Sequence, residues 1–150
     1  CTGHWFSSPS LSSNAFGNGS YGMGFCLPRL DQALSGLFTD LKERGMMDNT
    51  LVVVTGEFGR TPKVLTQKPP GRQHWPKCFS SILAGCGIAG GNIYGKSDKH
   101  GAYVESDPVR PEEMAATIYH ALDIPINGPQ DNTGIRGPLT TGKPIMELFG

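Results

Sequence analysis

Apolar residues between positions 27 and 44 recur at steps of three and four: Leu27, Leu30, Leu34, Leu37, Phe38 and Leu41. That spacing draws one stripe along a helix and predicts a helix over 27–44. Pro28 suits its first turn, where a missing N–H costs nothing. Asp31 near the start and Lys42 and Arg44 near the end match the helix dipole. Gly45 follows as a left-handed cap. The pattern then changes. Leu51-Val52-Val53-Val54 is apolar without alternation and predicts a strand covered on both faces, and a helix, a short turn and such a strand make half of a β-α-β unit. Phe79 to Ala84 predicts a second covered strand, and Ile93-Tyr94 a short third. A second helix is expected over 111–122. Pro111 stands in its first turn, Glu112 and Glu113 at the positive dipole end, and Met114, Ile118 and Leu122 on one face. The fold class expected from these elements is α/β.

The remaining stretches carry no period. Residues 1–25 mix Ser and Gly with Trp5, Phe6, Phe16, Tyr21 and Phe25, which predicts a long loop packed on something. Residues 63–77 and the tail beyond Asp123 are also loop. Twenty-one glycines and twelve prolines in 150 residues agree with a folded but loop-rich chain. Charged residues make up 17%, and thirteen basic residues balance thirteen acidic ones. A neutral chain has no electrostatic footprint for nucleic acid or anionic lipid. No apolar run approaches the roughly 18 residues that cross a bilayer. Cys1, Cys26, Cys78 and Cys86 form no C-x-x-C, so neither a zinc knuckle nor a disulfide scaffold is indicated. Free thiols are the ordinary state, with one or two bridges still open.

Three constellations carry candidate chemistry. Gly90 to Ser97 fits G-x-x-x-x-G-K-[ST] literally. A phosphate-binding loop also needs a helix starting at the lysine, and Asp98 to Val104 has no helical apolar face. A glycine-rich β-turn is therefore expected there, with nucleotide binding a distant third function. The second constellation is Glu57, Arg60 and His74. The segment Thr55 to Pro62 leaves the first strand at its carboxyl end, where open α/β sheets bind ligands. A carboxylate and an imidazole there suit a divalent metal, and an arginine beside them suits a phosphate or sulfate clamp. The ordinary alternative pairs Glu57 with Arg60 on the surface and packs His74 on Trp75. Third, a serine hydrolase would need a G-x-S-x-G elbow, which the chain lacks. His4, His100 and His120 have no partner in sequence.

The run Leu27 to Ser35, then Asp40-Leu41, Arg44-Gly45, Thr50 to Pro62 and Gly71-Arg72-Gln73-His74-Trp75-Pro76, resembles the C-terminal half of the DUF1501 proteins. Ala84-Gly85, Gly90-Gly91, Tyr94-Gly95, Ser97-Asp98, Pro108-Val109, Pro111, Ala116 to Tyr119 and Gly142 to Ile145 continue the likeness in order. It covers about residues 26–150, leaving 1–25 as a separate Gly/Ser/aromatic segment. The resemblance implies an α/β/α sandwich of the alkaline phosphatase-like type, here an incomplete C-terminal portion. It implies a metal-dependent hydrolase of sulfate or phosphate esters, acting on a small molecule or glycan. The nucleophile would lie in a missing N-terminal half, which would also be this portion's partner. A non-catalytic binding or structural domain with a degenerate metal site is the alternative.

The same resemblance assigns roles residue by residue. Glu57, His74 and His4 would bind a divalent metal (Zn, Ca, Mn or Mg). Arg60 would act on the ester anion, and Arg72 and Gln73 would orient His74. Phe58 stands where the superfamily has a metal-binding histidine, and Gln73 where DUF1501 proteins usually have aspartate. His4 would belong to a remnant, Cys1-Thr2-Gly3-His4, of a W-D-T-H segment. An export signal upstream would direct the protein to the periplasm or outside the cell. Geometrically, Glu57 and His74 should converge on one ion. The isolated 150 residues should show negligible sulfatase or phosphatase activity, and apolar surface should lie open around Leu51–Val54.

Overall fold

A computed structural model describes residues 23–64, 71–127 and 137–150. The elements are helix α1 (Met23–Glu43), strands β1 (Val52–Val54), β2 (Gly59–Arg60), β3 (His74–Trp75), β4 (Ile82–Ala84), β5 (Lys96–Ser97) and β6 (Val104–Ser106), and helix α2 (Pro111–Ala121). Single 3-10 turns cover Met47–Asn49 and Met146–Leu148. The described strands form three antiparallel pairs, β1 with β4, β2 with β3 and β5 with β6.

Helix α1 follows its apolar stripe but begins earlier than the pattern predicts, at Met23. Residues 23–25, expected as loop, are helical, and Pro28 lies inside the helix rather than in its first turn. Its missing N–H forfeits one bond near the helix start, where the ladder is shortest and the loss smallest. The other end matches the expectation. Gly45 takes φ +66 and donates its N–H to the Lys42 carbonyl at 3.1 Å, while Met46 N–H reaches back to Leu41 at 2.8 Å. These two bonds satisfy carbonyls that the last turn leaves open, and the left-handed backbone between them is free of strain only for glycine. Arg44 closes on Asp40 at 2.7 Å one turn below, an exposed pair of small energetic weight.

The strand expectations need correction. Val52, Val53 and Val54 pair with Ala84, Leu83 and Ile82, so the described partner of β1 runs antiparallel to it. Nor is β1 covered on both faces: Val53 is 36% exposed, and Ile82 across the ladder 49%. A continuous apolar run marks capacity for burial, and the covering elements have to come from elsewhere in the tertiary structure. Leu51, Val52 and Val54 are half-buried, so the exposed apolar surface here is that of Val53 and Ile82. Phe79 stands outside β4 and is exposed. Ile93-Tyr94 is not a strand; Ile93 is 93% exposed, and the extended residues are Lys96-Ser97. They pair with β6 through an irregular register shift between Lys96 and Ser97. No helix begins at Lys96, so the region lacks the helix N-terminus with which a phosphate-binding loop grips its ligand.

Helix α2 forms where the sequence predicts it, with Pro111 at its start and Glu112 and Glu113 in the first turn. The Glu113 carboxylate accepts the Arg110 backbone N–H at 2.9 Å, satisfying a donor at the helix entry. Ala116 and Thr117 are fully buried and, with Leu41 and Ile145, are the buried residues among those described. The chain end docks on this helix through one hydroxyl. Thr117 Oγ1 donates to the Glu113 carbonyl at 2.7 Å and accepts the Ile145 N–H at 3.0 Å. Beyond Ile145, Ala89 N–H meets the Leu148 carbonyl at 2.8 Å, and Phe149 forms a bridge with Ile88. Cys86 N–H then reaches Met47 at 2.9 Å. A continuous path thus runs from α2 through the tail and the Gly85–Asn92 turn to the foot of α1.

Thr117→Val keeps the shape and removes the acceptor, leaving the Ile145 N–H buried and unbonded. A loss of about 1–3 kcal/mol is expected, read as a lower urea midpoint at unchanged slope. Thr117→Ser, which keeps the oxygen, should lose less.

Candidate functional site

The segment after β1 turns through Thr55 to Phe58 and re-enters a ladder as β2. At the exit, Thr55 Oγ1 and Ser81 Oγ lie 2.6 Å apart, tying the carboxyl end of β1 to the start of β4. Strand β2 then pairs with β3, Gly59 opposite Trp75 and Arg60 opposite His74. The pairing continues one step further, since Thr61 N–H donates to the Gln73 carbonyl at 3.0 Å and Thr61 Oγ1 accepts the Gln73 N–H at 3.1 Å. Side chains alternate along a strand, and directly opposed residues share a face. Arg60 and His74 therefore lie on one side of the ribbon, and Gly59 and Trp75 on the other.

Each side has its own packing. Trp75 donates its indole N–H to the Ala102 carbonyl at 2.6 Å and meets the Tyr103 ring edge-on at 5.6 Å, which anchors the ribbon to the β5–β6 hairpin. Gly59 sits against the Cys78 carbonyl so closely that a Cβ would overlap it, so the approach demands glycine. On the opposite side the Phe58 ring stacks on the His74 imidazole, centroids 3.9 Å apart and planes inclined by 27°. The Arg60 guanidinium carbon lies over the same Phe58 ring, 5.4 Å from its centroid, within cation–π range. Arg60 is half-buried, with Nη1 shielded from solvent, whereas His74 and Glu57 are exposed.

Of the residues chosen from sequence, the structure brings Arg60 and His74 together, joined by Phe58. His74 packs on Phe58 and not on Trp75, because adjacent strand residues point to opposite faces. Glu57 immediately precedes Phe58 at the bend. Arg72 and Gln73 lead into β3: Arg72 is exposed, and Gln73 acts through its backbone on Thr61. His4 lies outside the described residues. Phe58, which cannot bind metal, contacts both other members of the cluster. The signal was there in Phe58-Gly59-Arg60, a period-two pattern that sets an aromatic and a cation on one side.

In donor chemistry, one carboxylate and one imidazole are ordinary ligands for a divalent ion. Stacking covers one face of the His74 ring; its nitrogens lie in the ring plane, and the residue as a whole is exposed. Among the described residues no group of three or more His, Cys, Asp or Glu side chains gathers that could hold a metal. Glu57 and His74 would thus be two ligands of a site that needs others. Cys26, Cys78 and Cys86 are free thiols. Among the described residues no helix is long and apolar enough to cross a membrane.

The Asp98 turn holds the anchor for Trp75. Its carboxylate accepts backbone N–H groups from His100 at 3.0 Å, Ala102 at 2.8 Å and Tyr103 at 3.3 Å. These bonds, that from Ala102 foremost, hold its pKa below the ordinary 3.8.

The profile of the family described as "Protein of unknown function (DUF1501)" matches residues 17–136, most of the chain. No curated protein and no solved structure matches it.

Because the Asp98 pKa is lower folded than unfolded, its contribution to stability is complete above the ordinary carboxylate value. It is lost as pH falls through the folded-state value. Acid titration of the unfolding midpoint should show this loss in the native chain and a flatter curve in Asp98→Ala. At neutral pH the same substitution should speed amide exchange at Ala102 and Tyr103.

Proposed function

The chain belongs to the DUF1501 family, and from that premise we propose that its β2–β3 ribbon is the anion-binding part of a sulfate or phosphate ester hydrolase. The observation that carries this reading is the cluster on one face of the ribbon, with Arg60 held over Phe58 and His74 stacked against the same ring. A guanidinium presents paired N–H donors whose geometry matches two oxygens of a tetrahedral oxyanion. Partial burial strengthens that interaction by excluding competing water. His74 adds an edge nitrogen to the same face, as donor or acceptor according to its protonation. Glu57 and His74 would contribute ligands to a divalent metal (Zn, Ca, Mn or Mg) completed by residues outside those described. When bound, such an ion polarises the ester oxygen.

The alkaline phosphatase-like sandwich, the small-molecule or glycan ester substrate and a periplasmic or extracellular location are part of the same proposal. They rest on the resemblance of GEFGRTP and GRQHWP, not on the geometry. A second reading has a specific observation behind it. Phe58 occupies a position that would bear a metal-binding histidine, and its ring covers one face of the other candidate ligand. That arrangement suits a domain that retains oxyanion binding and has lost catalysis.

Titration of inorganic sulfate and phosphate, followed by amide shifts, tests the shared core of both readings. Arg60→Ala should weaken binding at least about tenfold, the lower end for one hydrogen bond to a charged group; unchanged binding would sink the proposal. Hydrolysis of aryl sulfate and aryl phosphate esters, with each of the four metals added, separates the two. Negligible turnover is expected from the 150 residues alone. Robust turnover lost in both Glu57→Ala and His74→Ala would instead show a whole hydrolytic site in this chain.

A further inference from the structure

We infer that Phe58 is a positioning residue for the oxyanion: its ring holds the Arg60 guanidinium and the His74 imidazole in one arrangement on the ribbon face, an inference that rests on the anion-binding reading above. The ring is common to both contacts, at 3.9 Å from the imidazole centroid and 5.4 Å from the guanidinium carbon. Strand pairing alone sets the Cα atoms of Arg60 and His74 opposite each other. It does not fix where two long polar side chains put their ends. Arginine carries large rotamer freedom, and confining it at the moment of binding costs affinity. A ring that already holds the guanidinium removes part of that cost beforehand.

Phe58 also restricts which part of the imidazole meets a ligand. With one face covered, His74 offers its edge, where the N–H and lone-pair directions lie, to a hydrogen-bonding ligand. A tetrahedral oxyanion suits that edge, since its oxygens accept along the N–H direction. The backbone makes the arrangement specific. Gly59 lets β2 seat against the Cys78 carbonyl, and Trp75 pins the far side of the ribbon through Ala102. Phe58 stands one residue before β2 and two before Arg60, so it comes up on the same side. Replacing the ring therefore changes side-chain placement without touching the ladder.

The test compares the full chain with Phe58→Leu, Phe58→Tyr and Arg60→Ala, each titrated with inorganic sulfate and inorganic phosphate. Two signals are followed by NMR: anion affinity, and the chemical shifts of the His74 ring protons, which an overlying aromatic ring displaces upfield. The expected result for Phe58→Leu is loss of that displacement together with affinity weakened about two- to fivefold, the scale of an exposed cation–π contact. Phe58→Tyr keeps the ring face and should restore both signals. Amide shifts of Gly59, Trp75 and Ala102 that stay in place in Phe58→Leu confirm an intact ribbon; if they move, the comparison of Phe58→Tyr with the native chain decides, since native affinity must return with the ring. Binding that needs Arg60 but is indifferent to the ring in Phe58→Leu would overturn the positioning role and leave the anion site standing. Binding indifferent to Arg60→Ala would overturn the anion site and the positioning role together.

Discussion

The pairing of Arg60 with His74 across two very short antiparallel strands is the constraint on which the candidate site depends. Opposed residues share a face, so this one register sets a cation and an imidazole side by side. A slip of one residue would turn His74 to the other face and bring Trp75 round beneath Arg60. A two-residue ladder has little register preference of its own. The register is held from outside, by the Trp75 indole bond to Ala102 and by the fit of Gly59 against the Cys78 carbonyl. The Thr61–Gln73 bonds extend the same pairing by one step.

This dependence reaches into the β5–β6 hairpin. The Asp98 carboxylate gathers three backbone N–H groups and so shapes the turn that carries Ala102 and Tyr103. Those two residues receive Trp75 on the back of the ribbon. On the front, the ring of Phe58 joins the two polar side chains. The literal G-x-x-x-x-G-K-S motif ends in this hairpin, where Lys96 pairs with Glu105 at 2.8 Å. Its lysine lies in a strand, and its local role is structural.

Elsewhere order is carried by hydrogen bonds as much as by burial. The Thr117 hydroxyl serves the helix below it and the tail above it at once. From Ile145 the tail continues to the Gly85–Asn92 turn and so to Met47. Apolar burial among the described residues is narrow by comparison. Leu27, Leu30 and Leu37 on α1, with Val53 and Ile82 on the β1–β4 pair, stand at the surface. Such residues stabilise a fold only in proportion to the area removed from water. Their contribution here is small, and the backbone network is correspondingly important.

The sequence by itself determined what depends on neighbours a few residues away. The α1 stripe and its glycine cap, the entry and length of α2, and the turn character of Gly90–Ser97 all follow from local spacing and backbone freedom, which tertiary context leaves intact. The GEFGRTP and GRQHWP segments likewise marked the family. Tertiary structure decided everything that depends on which face meets which neighbour. The apolar run Leu51–Val54 could announce a strand but not its partner, its direction or its cover, since these are set by residues some thirty positions on. Lys96-Ser97 became strand in place of Ile93-Tyr94 because pairing with Val104–Ser106, and not β-propensity, selected them. Glu57, Arg60 and His74 could be singled out by chemistry. Only the ladder register could show that Phe58 is the residue joining Arg60 to His74, because a contact across 16 positions of chain exists only once the two strands are paired.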